Sequence, residues 1–132
     1  MGKPLAYRLF GFGKLPKKVA KKDNDIVDEG VRIHVHYKDF KAPGKRFKNK
    51  RRMMIGSLLV NKNRMAFYVS SHSLMDISPK DPRFKKLRIK SDGEEAIEIK
   101  FNASDFSDNA SGEVSYKLQT ERVADIMKAL RH

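Results

Sequence analysis

The chain has 132 residues, with 29 Lys and Arg against 16 Asp and Glu, a formal net charge of +13 and no cysteine. This is the length of one ordinary domain; the missing cysteines exclude disulfides and thiolate metal sites and fit a reducing, cytoplasmic setting, and no apolar run is long enough to cross a bilayer as a helix. So basic a balance points to polyanions as partners: anionic lipid, an acidic protein or nucleic acid.

Residues 1–25 read as a basic, aromatic lead-in to a domain spanning 26–132. Leu5, Tyr7, Leu9, Phe10 and Phe12 are too apolar for a free tail, so part of the lead-in is expected to dock on the domain. Pro4, Arg8, Gly11 and Gly13 interrupt this apolar set, which excludes a signal-peptide segment. Ala6 stands where a myristoylation motif needs Ser or Thr. Leu15 to Lys22 reads as a short helix with Pro16 in its first turn. Apolar anchors followed by Lys14, Lys17, Lys18, Lys21 and Lys22 also match the composition of a membrane-surface segment, beside the simpler reading of a packed arm with solvated lysines.

Val31 to Lys38 alternates, with Val31, Ile33, Val35 and Tyr37 opposite Arg32, His34, His36 and Lys38, the pattern of a half-buried strand. Ala42-Pro43-Gly44 ends it. Met53 to Val60 is the second strand, with Gly56 marking a bulge or bend. Asn61-Lys62-Asn63 turns the chain into Met65 to Val69, and Leu74 to Ile77 is a short fourth strand. After a loop held by Pro79 and Pro82, Phe84 to Lys90 and Ala96 to Phe101 alternate again around the Asp92-Gly93 turn.

Glu113 to Leu118 is the seventh strand, and Glu121 to Arg131 then changes the period from 2 to 3.6. Val123, Ile126, Met127 and Leu130 form one stripe, and Thr120 stands at the N-cap position. The expected core is Ile33, Val35, Ile55, Leu58, Phe67, Val69, Leu87, Ile89, Ile97, Ile99, Phe101, Val114, Tyr116, Leu118 and the helix stripe. Short strands punctuated by turns argue for a mainly β fold, a seven-stranded antiparallel, partly open barrel capped by the C-terminal α-helix.

This layout resembles the pleckstrin-homology superfold. Gly56-Ser57-Leu58-Leu59-Val60-Asn61-Lys62-Asn63-Arg64-Met65-Ala66-Phe67-Tyr68 is similar to the hairpin of bacterial PH-like and GRAM-like domains, and Met75-Asp76-Ile77 to the strand that follows it. The resemblance spans about Gly30 to Leu130. It implies an inositol-phosphate site between the first two strands, where Lys41, Lys50 and Arg52 are similar to the binding pattern. It equally implies an assembly module, since many such domains bind proteins instead of lipids.

The residues themselves single out the same place. Lys41, Lys45, Arg46, Lys48, Lys50, Arg51 and Arg52 stand together with no acid among them, and are expected to bind anions from a loop between strands one and two. Phe40, Phe47 and Tyr37 interleave with them, as in a nucleic-acid contact strip, but no nucleic-acid signature accompanies them. His34 and His36 share a strand face and His72 could stand on a neighbouring strand, yet such a pair on an outward face is more often solvent-exposed, and no metal is expected. Ser71-His72-Ser73 with Asp76 supplies the letters of a hydrolytic triad without a nucleophile elbow. The expectation is a binding module without catalytic residues or cofactor. Its first partner class is an anionic phospholipid headgroup at a membrane periphery; a protein-interaction or self-assembly role comes second, and nucleic acid third.

Overall fold

Seven stretches with alternating side chains have to bury one face each, and they do so in a single sheet. The computed structural model describes residues 3–17 and 25–130. Its strands are β1 (Ile26–Ala42), β2 (Lys45–Asn61), β3 (Arg64–Val69), β4 (His72–Ile77), β5 (Arg88–Ser91), β6 (Ala96–Asn102) and β7 (Ser111–Gln119). All pairings are antiparallel, in the order β4-β3-β2-β1-β7-β6-β5. β4 and β5 are sequence neighbours at opposite edges of the sheet, which is not closed.

The sheet nevertheless curls on its apolar face. β3 and β7 are three strands apart, about 14 Å in a flat sheet. Yet Phe67 on β3 and Tyr116 on β7 meet edge to face with ring centroids 5.1 Å apart, and Phe101 on β6 lies 5.8 Å from Tyr116. Phe67 is 0 % exposed. Burial pushes the Tyr116 phenol well above its ordinary pKa, so it stays neutral through physiological pH. The C-terminal helix α2 (Val123–Leu130) adds Val123, Ile126 and Leu130 to this core.

The expected core is largely the observed one. Ile55, Val69, Ile89 and Met127 are only partly buried. The other face of β2 and β3 carries a second apolar layer that alternation along single strands did not reveal: Leu59, Ala66 and Tyr68 are buried with Leu15 from the N-terminal segment. That segment is held by backbone. The Gly30 N–H donates to the Gly13 carbonyl at 3.0 Å, and the Leu15 N–H donates to the Glu29 carboxylate at 2.5 Å. Gly30 has φ +68 and sits at a register shift between Glu29 and Val31, so the bulge is on β1, opposite Gly56, and not on β2.

Three further expectations change. The helix expected over 15–22 does not begin at Leu15: Leu15 to Lys17 are not helical, residues 18–22 lie outside the described residues, and the lead-in helix α1 is Leu5–Phe10. The strand expected from Phe84 starts late, because Asp81 accepts the Arg83 N–H at 2.8 Å and Pro82 opens a 3-10 turn through Lys86. α2 starts at Val123 instead of Glu121, and Arg131 lies outside the described residues.

Thr120 still serves the helix start. Its hydroxyl accepts the Arg122 N–H at 3.1 Å and donates to Asp28 at 2.6 Å, tying the helix start to β1. Thr120 is buried. Thr120→Val keeps the shape and removes both bonds, one of them to a carboxylate. The expected cost is about 2 kcal/mol, read as a shift in the urea unfolding midpoint at unchanged slope.

Candidate functional site

The basic stretch expected as a loop is a strand. β2 begins at Lys45 and pairs with β1 in one register from Ala42↔Lys45 to Val31↔Gly56, interrupted at Asp39, whose φ is +51, and Lys48, so residues 45–52 extend the ladder. The connection is only Pro43-Gly44, with Gly44 at φ +72, as a type II turn requires at its third residue. The apolar alternation that reveals a strand is missing here, because neither face of this half of β2 enters the core.

Three rings stiffen the hairpin, and two of them, Tyr37 and Phe40, also pack against the main core. Tyr37 lies 5.0 Å from Phe40 and 5.3 Å from Phe47, and Phe40 lies 6.0 Å from Phe47 across the two strands. Lys50 Nζ sits 4.3 Å above the Phe47 ring. These rings contact one another, so they are not a free stacking platform.

Lys41, Lys45, Arg46, Lys48, Lys50, Arg51 and Arg52 are all exposed. They do not converge on one pocket. Lys50 and Arg52 stand opposite Tyr37 and Val35, Arg51 stands opposite His36 on the other face, and Lys41 pairs with Arg46 near the turn. From Arg46 to Arg52 the set runs along about 20 Å of strand. Lys41, Lys50 and Arg52 are therefore strung out along a ribbon and form no closed cage.

Several charges of the remaining sheet are paired locally. Glu98 lies within reach of Lys90 and Lys100, Glu113 meets Arg88 at 3.4 Å, and Asp76 holds Arg64 at 2.7 Å. Among the described residues, none of the seven ribbon cations has an acidic partner. Six of these cations crowd the first half of β2, and Lys41 stands beside them on β1.

Lys117 and Asp92 meet at 2.7 Å, and their hydrogen bond holds the Asp92 carboxyl below its ordinary pKa. A depressed carboxylate pKa contributes stability above the unfolded-state value and loses it as pH falls through the folded value. In Lys117→Met, the Asp92 carboxyl is expected to titrate at higher pH, which an NMR titration of its side-chain carbon will show.

The other candidates are not assembled. β4 is not a neighbour of β1, so His72 does not join His34 and His36. His36 Nε2 is 2.6 Å from the Asn49 side-chain oxygen. Among the described residues no three His, Asp or Glu side chains gather as a metal set. Asp76 is engaged by Arg64 through two bonds, at 3.0 and 2.7 Å, and Arg64 also donates to the Tyr68 hydroxyl at 2.9 Å.

One feature of the site had no sequence signal. β3 pairs with β2 only from Ser57 onward, so among the described residues no strand lies beside the outer edge of β2 from Lys45 to Gly56. At the base of that edge, Phe12, Met53, Met54 and Ile55 line a groove of about 740 Å³.

No family model matches this chain, and no curated protein matches it either.

Proposed function

We propose that the chain is a non-catalytic binding module that meets an anionic membrane surface through the basic half of β2. The observation that carries this reading is the set of seven exposed cations without acidic partners among the described residues, six of them on β2 and Lys41 beside them on β1. Cations spread over about 20 Å on both faces suit an array of lipid headgroups better than a single caged phosphate. The pleckstrin-homology-like reading rests on the hairpin resemblance around Gly56 to Tyr68, and is part of this proposal. So is a cytoplasmic protein at the membrane periphery.

Nucleic acid is less favoured. A major groove admits a two-stranded ribbon, but β7 lies beside β1 as far as Lys41 and makes this element three strands wide. The deciding experiment is co-sedimentation with vesicles of phosphatidylcholine alone or with phosphatidylserine. Pelleting with the anionic vesicles only, weakened by salt, supports the reading; equal recovery in the supernatant with both kinds overturns it.

A further inference from the structure

We infer that the free edge of β2 is a strand-addition site for an extended acidic segment of another protein. This goes beyond membrane adsorption, since it uses the backbone of the same strand as well as its charge.

The two-residue turn makes Ala42 and Lys45 the closing hydrogen-bonded pair of the hairpin. Asp39, at φ +51, and Lys48 interrupt the pairing, so the backbone groups that face away from β1 are those of Arg46 near the turn and of Asn49, Arg51 and Met53 beyond the interruption. β3 does not reach this far, and among the described residues no backbone bond outside the strand pairings involves these positions. An open row of donors and acceptors of this length is a template for a further strand.

Charge selects the occupant. Two copies of this edge brought together would oppose Arg46, Lys48, Lys50 and Arg52 to the same residues, and like charges facing across strands are destabilising. Among the described residues, the other sheet edges supply no complement. β5 carries Arg88 and Lys90, and the one acid of β4, Asp76, is held by Arg64. An incoming strand of alternating acidic and apolar residues meets both needs: its carboxylates face the cations, and an apolar end reaches the groove at Met53, which is 52 % exposed, and Phe12, which is 60 % exposed.

The test uses the full chain and two acetylated ten-residue peptides of equal charge, one alternating glutamate with valine and one alternating glutamate with proline. Proline cannot complete a ladder. The Glu-Val peptide is expected to bind at least about tenfold more tightly, the equivalent of one or two net backbone hydrogen bonds. It should also slow amide exchange at Arg46, Asn49, Arg51 and Met53, whereas the Glu-Pro peptide should not. Equal affinity for the two peptides, binding without added protection of those amides, or no binding of either at millimolar concentration overturns strand addition. Vesicle sedimentation is scored separately, so a failure here is distinct from a failure of the membrane reading.

Discussion

Gly56→Ala is expected to destabilise the protein by about 3 kcal/mol or more, at or beyond the upper end of ordinary overpacking. A Cβ at Gly56 would stand 2.1 Å from the Tyr68 carbonyl oxygen and 2.7 Å from Ile33 Cδ1. The first contact is backbone, and Tyr68 pairs with Ser57, the residue next to Gly56, so it cannot retreat without opening the β2–β3 ladder. Small domains have only about 5–15 kcal/mol of stability in total. The variant should therefore show a large drop in its urea midpoint or fail to accumulate folded. Gly44→Ala is the control. Its Cβ would meet nothing within 4 Å, and only the φ of +72 opposes it, at about 1 kcal/mol. Equal midpoints for the two variants would show that close approach at Gly56 is not what requires glycine there.

Changing Lys45, Arg46, Lys48 and Lys50 to Ser should weaken binding to phosphatidylserine vesicles by roughly a thousandfold at low salt. Each Lys or Arg near an anionic surface is worth about 1 kcal/mol, and about 1.4 kcal/mol is a factor of ten. The advantage of the wild type should vanish at 1 M salt, where the screening length falls to about 3 Å. All four side chains are exposed and none has an acidic partner among the described residues, so stability should fall by no more than about 1 kcal/mol, the worth of the lost Lys50–Phe47 contact. A variant that pellets as well as the wild type would remove the basic half of β2 from the proposal.

The mainly β class, the seven strands and the closing helix were legible because each buries one face, and burial of one face leaves a period in the sequence. Ile33, Val35, Ile97, Ile99, Val114 and Leu118 could be placed in the core from alternation alone. Asp81 and Pro82 stood in sequence as a loop, and their capping of a 3-10 turn was missed because Leu87 and Ile89 beyond it do alternate. The cations were legible as a cluster, since charge needs no fold to be counted. Their setting was not. A strand with solvent on both faces has no apolar period, so Lys45 to Arg52 looked like a loop.

The sequence by itself determined where apolar faces and charge lie along this chain: which residues seek the core, that a helix ends the domain, and that seven cations stand together without an acid. Only the tertiary structure decided what those cations are mounted on. Pairing with β1 depends on a partner strand that is itself held by β7, and the aromatic contacts of Tyr37, Phe40 and Phe47 form across the two strands once they are in register. The open edge of β2 is likewise a property of the sheet, because it exists where β3 is too short to cover its neighbour.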